Sequence, residues 1–306
     1  MIKHFDSLIQ MMDAFPDEQS CLDHLKGIIW KNSENCPYCG NTEIYHFKDN
    51  RTYKCAAKEC RQRFSIKVGT IFEDTKLPLR KWFMAIWLIT SHKKGIASTT
   101  LAKDLKITQK SAWFMLHRLR HAARTRSFSR PLDGHVEADE SFFGGKEGNK
   151  HRNKRLPKSR GGVGKTIVFG VMERGGELRT KPLDDIMDAR KEVTFSVKPG
   201  ATLVTDEHSV YRNLNRRYDH HTVKHSKGEY VRDETIHTNS IEGVWSLFKR
   251  QVYGIHHWVS PKHLQQYLGE MTWRYNRREV SEGDRMNEFM TRVHGPLKYR
   301  ILIGKF

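Results

Sequence analysis

The stretch His135–Gly145, HVEADESFFGG, decides how the chain is read. Val136, Ala138, Phe142 and Phe143 interleave with polar residues and a glycine pair closes the run, the pattern of a β-strand entering a turn. Strand alternation puts Glu137 and Asp139 on one face and Glu140 on the other. Downstream, KTIVFGVMERGGELRTKPL (165–183) reads as a hairpin bent at Gly175 and Gly176. ATLVTDEHSVYRNL (201–214) reads as a strand leading to a helix, HHTVKH (220–225) as a further strand, and HTNSIEGVWSLFKR (237–250) as the start of a helix. A meander followed by strands mixed with helices predicts an α/β layer around one sheet. Between the first two strands lies GGKEGNKHRNKRLPKSRGGVGK (144–165), almost without apolar residues and therefore expected to be an exposed, mobile loop.

Upstream the period is helical. Phe5, Leu8, Ile9 and Met12, then Cys21, Leu22, Leu25 and Ile28, predict two short helices within residues 1–30, broken at Phe15 and Pro16. Next come Cys36-x2-Cys39 and Cys55-x4-Cys60, separated by strand-like residues. Two cysteine knuckles are the pattern of a zinc ribbon, because Zn²⁺ takes four soft ligands in a tetrahedron and Gly40 permits the turn. One structural Zn²⁺ held by Cys36, Cys39, Cys55 and Cys60 is expected; Cys21 reads as core. After residue 72, LRKWFMAIWLITSHK predicts an apolar helix, STTLAKDLK a short helix opened by a Ser or Thr cap, ITQK a turn, and SAWFMLHRLRHAART a longer helix with a basic C-terminal half. That order resembles a helix-turn-helix, whose second helix would enter the major groove. Packing between domains is the competing role for Trp113, Phe114, Leu116 and Leu119.

The chain holds 54 Lys and Arg against 35 Asp and Glu, a formal charge of +19, which favours a polyanionic partner through counterion release. No apolar run approaches the roughly 18 residues that span a bilayer, so no membrane partner is expected. The N-terminus lacks a secretion signal, placing the protein in the cytoplasm. SRGGVGKT (159–166) imitates a phosphate-binding loop, but Ser159 stands where that motif requires glycine, and the segment precedes a strand instead of following one.

Asp139 and Asp206 each follow a β-type apolar run, and Glu242 sits on the predicted helix. Three acids in a basic chain point to a site for two Mg²⁺ ions about 4 Å apart, or Mn²⁺, acting in phosphoryl transfer. Residue type alone leaves Glu137 and Glu140 as rivals to Asp139, and Glu207 and His208 as rivals to Asp206. Trp245, Trp258 and Trp273 either stack on unpaired bases or pack in the core. A DNA-binding regulator without catalysis, and a metal-dependent nuclease that cuts but does not join, are the competing functions.

The segments CPYCG, YKCAAKECRQRFSIKVGTIFEDTKLPLRKW, VEADESFFGGK, GKTIVFGVMERGG, VTDEHSVY, HTNSIEGVWSLFKR and GIHHWVSPKHLQQYLGEMTWRYNRR occur here in that order. Together they resemble the bacterial insertion-sequence transposases of the DDE type, insertion-sequence 1595 family. The resemblance implies a multidomain α+β protein: an N-terminal helical segment (1–30), a zinc ribbon (31–72), helix-turn-helix-like DNA-binding helices (73–128), a ribonuclease H-like catalytic domain with a mixed central sheet (131–280) and a C-terminal tail (281–306). It assigns the first two catalytic aspartates to Asp139 and Asp206. The third position falls on Glu242, with Lys249 seven residues on and Asn239 as a rival or auxiliary ligand on the same helical face. It further implies Mg²⁺-dependent cleavage and strand transfer on double-stranded DNA, by a homodimer or larger assembly associated with the nucleoid. Lys249 and Arg250 would touch the DNA backbone near the site, and Lys146, Lys154, Arg155 and Lys165 would reach phosphates from the basic loop.

Overall fold

A computed structural model describes residues 3–304 apart from 32, 125–129, 146, 157–161, 225–230, 233 and 234. The chain divides into two compact units, one comprising residues up to 123 together with 279 onward, the other residues 124–278.

In the first unit, α1 (Leu8–Ala14) and α2 (Glu18–Ile29) flank the break at Phe15 and Pro16. Asp17 opens α2 with a capping box to Ser20, satisfying backbone donors that the first turn leaves free. The ribbon follows as an antiparallel sheet of β1 (Ile44–His46), β2 (Tyr53–Cys55) and β3 (Arg63–Phe64). Tyr53 stacks on Phe64 at 5.6 Å and meets Trp30 edge-on at 5.0 Å, a small aromatic core that seats the ribbon on the end of α2. The apolar helix α3 (Leu79–Ser91) buries Trp82, Phe83, Ile86 and Ile89, with Phe83 edge-on to Phe15 at 4.8 Å.

Helices α4 (Ser98–Asp104) and α5 (Gln109–Ala122) form the expected pair, with two differences. Ala97, not a Ser or Thr, occupies the N-cap of α4 and makes no side-chain cap. The basic half of α5 is turned inward: His117, Arg118 and Arg120 are buried. Arg118 donates to the carbonyls of Ile71 (2.9 Å), Glu73 (2.6 Å) and Leu297 (3.2 Å), so its charge fastens irregular segments instead of facing a phosphate. Gln109 and Lys110, at the start of α5, are the exposed part.

The second unit is built on a five-stranded sheet. Its strands are β4 (His135–Phe143), β5 (Thr166–Glu173), β6 (Leu178–Leu183), β7 (Thr202–Asp206) and β8 (Asp219–Val223), in the spatial order β6-β5-β4-β7-β8. The first three run antiparallel and β7 and β8 lie parallel to β4, giving the mixed central sheet that the sequence leads one to expect. Gly175, at φ 73°, makes the predicted bend between β5 and β6. The helix expected after β7 is two single 3-10 turns, Ser209–Tyr211 and Leu214–Arg216, separated by Asn213 in the left-handed conformation. A helix not anticipated, α6 (Ala189–Ser196), returns the chain from β6 to β7. Two short strands, β9 (Val231–Arg232) and β10 (Ile236–His237), precede α7 (Asn239–Gln251), and α8 (Pro261–Asn276) follows.

One sheet face packs Val136, Ala138, Val171 and Leu203 against Val193 of α6 and Tyr211. The other packs Phe143, Val168 and Met172 against Ile241, Trp245 and Phe248 of α7 and Leu268 of α8. Odd-numbered residues of β4 therefore face α7, and even-numbered ones face α6, as strand alternation requires.

The segment expected as a tail is folded. Residues 279 onward rejoin the first unit as α9 (Glu282–Met290) and α10 (Tyr299–Ile303), with Met286, Phe289 and Met290 buried. Gly283 lies so near the Phe5 carbonyl that a Cβ would sit 1.9 Å from its oxygen, which fixes glycine there. Among the described residues no helix is long and apolar enough to cross a membrane.

Candidate active site and metal centre

Asp139 is the fifth residue of β4 and Asp206 the last of β7. Glu137 pairs with Val204 in parallel register, so two residues further along both strands Asp139 and Asp206 come level, on the face toward α7. Glu242 enters from the first turn of α7, where it accepts a hydrogen bond from Thr238 Oγ1 at 3.0 Å. Burial first, then the charges of Asp206 and Glu242, push the Asp139 carboxyl up to about 6 against the lowering pull of its hydrogen bonds to the Glu140 backbone and Trp245. Asp139 thus feels the charges of both other carboxylates, and negative charge gathered at this end of the sheet would favour a cation. An all-oxygen donor set suits Mg²⁺ or Mn²⁺.

Trp245 Nε1 donates to Asp139 Oδ2 at 3.0 Å, so this indole orients a site carboxylate instead of awaiting a base. Its approach depends on Gly170, the register partner of Asp139, where a Cβ would meet Trp245 Cζ2 at 2.5 Å. On the opposite face, Glu140 accepts from Tyr211 Oη. Burial, helped by the charges of Asp139 and Asp206 and opposed by the Tyr211 bond, pushes Glu140 up to about 8. Facing α6, it is separated from the side that Asp139 and Glu242 share.

The second centre is in the ribbon. Cys36, Cys39, Cys55 and Cys60 bring their sulfurs within 4.8 Å of one another, with Cys36–Cys60 at 3.8 Å and Cys39–Cys55 at 3.5 Å. A tetrahedral Zn²⁺ with sulfurs at ~2.3 Å needs sulfur–sulfur separations near ~3.8 Å, so the set fits one ion. Gly40, at φ 77°, closes the first knuckle by donating its N–H to the Cys36 carbonyl at 2.9 Å. The four-residue spacing of the second knuckle is absorbed by a turn in which Cys60 and Arg61 both donate to the Ala57 carbonyl. Among the described residues these four cysteines form the group of potential metal ligands drawn this tight.

Comparison with known proteins finds a family match for each of the two regions that carry these centres. Residues 131–276 match the ISXO2-like transposase domain, and residues 16–63 match the transposase zinc-ribbon domain, both of the insertion-sequence 1595 group. Both matched regions belong to the insertion-sequence 1595 transposase family. A relative in Halobacterium salinarum, described as an uncharacterized protein in transposable element ISH50, is 29% identical over 272 residues, covering 83% of this chain and 90% of the relative. Two solved structures, a pre-cleavage Mos1 transpososome and the Mos1 strand transfer complex, align over 74% of this chain and 82% of theirs. Their identities are 11% and 12% and their TM-scores 0.25 and 0.26.

The remaining expected residues of this transposase are placed as follows. Asn239 is exposed at the first position of α7, and Lys249 and Arg250 are exposed in its last turn. Lys154 is exposed, whereas Arg155 folds back onto its own loop, donating to the carbonyls of Lys150 (2.9 Å) and Gly148 (2.6 Å). Lys165 packs against Gly144, and Lys146 lies outside the described residues. The described part of the basic loop carries two single 3-10 turns, Glu147–Asn149 and Arg152–Lys154. Of the three tryptophans considered for stacking, Trp245 and Trp273 are buried, at 4% and 2% exposure, while Trp258 is 63% exposed. The look-alike phosphate loop runs into β5, which opens at Thr166. The residues that sequence reading passed over are Gly170, Tyr211 and Arg174. Only long-range register could have found them.

Proposed function

We propose that this transposase binds the ends of an insertion sequence, cuts them and joins them to target DNA. The observation that carries the reading is the placement of Asp139 and Asp206 level on neighbouring strands at one end of the mixed sheet, with Glu242 in the first turn of the helix on the same face. These carboxylates would hold two divalent cations. Mg²⁺ bound there supplies Lewis acidity toward a phosphodiester and a more nucleophilic attacking oxygen.

The chain's own residues do the rest. Trp245 holds Asp139 in place through its indole N–H. Glu242 is steadied by Thr238. Lys249 and Arg250, exposed two turns along the same helix, hold the DNA backbone, a task that needs charge and reach but no base recognition. Water attacking phosphorus breaks the P–O3′ bond and leaves a 3′-hydroxyl. That hydroxyl, attacking a target phosphodiester in line, forms a new O3′–P bond as the target's own P–O3′ bond breaks, so the target's 3′-oxygen leaves as a hydroxyl and the two strands are joined at the same site. The ribbon and the α4–α5 pair bind end sequences, with Gln109 and Lys110 rather than the buried Arg118 and Arg120 as the groove-facing part of α5. Trp258 offers an exposed ring for an unpaired base. Bringing two ends together calls for at least two copies.

The test is an Asp206→Asn protein given end DNA, target DNA and Mg²⁺. Retained end binding with loss of both cleavage and joining is expected; full activity would remove Asp206 from the scheme. Wild-type protein that cuts but never joins supplied target would reduce the function to a nuclease.

A further inference from the structure

Glu137 is wholly buried, yet four groups from two other segments converge on its carboxylate. Ser240 Oγ donates to Oε1 at 2.9 Å and the Ile241 N–H donates to Oε2 at 3.0 Å, both from the first turn of α7. Arg174, at the end of β5, donates Nε to Oε1 at 3.0 Å, with its Nη2 at 2.9 Å, and His237 Nδ1 lies 3.4 Å away. Arg174 also holds the chain leading into α7, donating to the carbonyls of Thr235 (2.8 Å) and His237 (3.3 Å). A buried carboxylate is costly unless it is paired and fully hydrogen-bonded, and here both oxygens are engaged.

The arrangement solves a specific problem. A helix begins with backbone N–H groups that need acceptors, usually supplied by the N-cap side chain. In α7 that position is Thr238, whose hydroxyl goes to Glu242 and makes no cap. The acceptor comes instead from β4. A carboxylate at a helix N-terminus also meets the favourable end of the helix dipole.

We infer that Glu137 is a positioning residue for the metal-binding carboxylates: by capping α7 from β4, it fixes Glu242 relative to Asp139. The inference rests on the function proposed above. Glu137 and Asp139 are two residues apart on one strand face, while Ile241 and Glu242 are consecutive on the helix. One charge-assisted bond therefore links both carboxylate carriers at their nearest approach, and the Trp245–Asp139 bond makes a second link one turn further on. Mg²⁺ demands near-ideal octahedral geometry, so slack at this joint weakens ion binding before it unfolds the sheet.

The experiment uses full-length, zinc-loaded protein and two variants. Glu137→Gln keeps the shape but loses the charge and one acceptor; Ser240→Ala removes a single bond. Two quantities are read: the Mg²⁺ concentration for half-maximal cleavage of end DNA, and hydrogen exchange in residues 239–245 against exchange in β5. Glu137→Gln is expected to raise the Mg²⁺ requirement by about 10–100-fold, the range typical of partners that orient metal ligands. Saturating Mg²⁺ should restore cleavage, and exchange should quicken at the start of α7 and not in β5. Ser240→Ala should move both readings the same way by less, and it decides the matter if Glu137→Gln does not fold. An unchanged Mg²⁺ requirement, or exchange that rises equally in β5, overturns the positioning role. Wild-type protein that cuts no end DNA at any Mg²⁺ concentration overturns the proposed function instead, and the exchange comparison alone then decides whether Glu137 caps α7.

Discussion

The ribbon and the carboxylate site solve the same problem, gathering metal ligands, in opposite ways. The ribbon's four sulfurs come from two short turns of a sheet whose strands are two or three residues long, and local backbone bonds at Gly40 and Ala57 set them in place. Such a sheet buries little apolar surface, so the bound ion supplies much of its folding free energy. The carboxylates instead ride on a sheet with packed cores on both faces, and the fold holds them together against their own repulsion. One site is made by its metal; the other precedes it.

The sharpest way to break that contrast is to withdraw zinc. Structural Zn²⁺ contributes on the order of 10–16 kcal/mol in small zinc domains. Chelation, or Cys55→Ser, is therefore expected to abolish hydrogen-exchange protection in β1–β3 while β4, β5 and β7 keep theirs. A ribbon that stays protected without zinc would show that the Trp30–Tyr53–Phe64 packing is sufficient by itself.

The same contrast decides what could be read from the sequence. Four cysteines in two knuckles announce themselves because their partners are close along the chain. Asp139 and Asp206 stand out less, as acids ending apolar strand runs, and only the sheet order brings them level. Two features misled. The order of helices reads as a helix-turn-helix whose second helix, basic in its C-terminal half, enters the major groove, yet Arg118 spends its charge on backbone carbonyls inside the unit. The stretch from 281 reads as a tail because α9 is short and its buried Met286, Phe289 and Met290 find partners far away in sequence. Trp245 was equally opaque: its N–H partner lies 106 residues back, and its fit depends on a glycine on a third element.

For the carboxylate site, the expected signature is a trade of stability for function. Asp139 rises from 3.8 to about 6 and Glu140 from 4.5 to about 8 on folding. Raised acid pKa values mean that the folded chain binds protons more tightly than the unfolded one. In Mg²⁺-free buffer the stability of the second unit should accordingly fall as pH rises from about 4 toward 8. Asp139→Asn should abolish cleavage yet stabilise that unit at pH 7.5 by up to about 2–3 kcal/mol, since each pKa unit is worth ~1.36 kcal/mol. Thermal melts across pH, with and without Mg²⁺, check both arms. Mg²⁺ should raise the wild-type transition and leave the variant's nearly unmoved. A variant that melts below wild type at every pH would mean the carboxylates attract more than they repel.

A smaller perturbation probes the joint between indole and carboxylate. Gly170→Ala would place a methyl group 2.5 Å from Trp245 Cζ2 and 3.2 Å from Ile241 Cδ1, and overpacking of this kind costs typically ~1–3 kcal/mol. The displaced indole loses its bond to Asp139, so cleavage should fall by more than the stability loss explains, while end binding is unchanged. Equal loss of stability and activity would make Gly170 a packing residue only.

The smallest expected effect belongs to the cations on α7. Lys249 and Arg250 are exposed, and each neutralised phosphate releases counterions in proportion to contacts made. Removing one phosphate contact should lower the slope of log binding constant against log salt by about 1, equally for end DNA and random duplex. Lys249→Ala and Arg250→Ala, titrated from low to moderate salt, therefore separate two roles. A change in slope without a change in sequence preference places the side chain on the backbone. A change in preference with no change in slope places it on a base edge. If neither moves, the exposed strip beyond Glu242 is a solvated helix face, and the carboxylates must hold the DNA strand through the bound ions and the rest of the chain's positive charge.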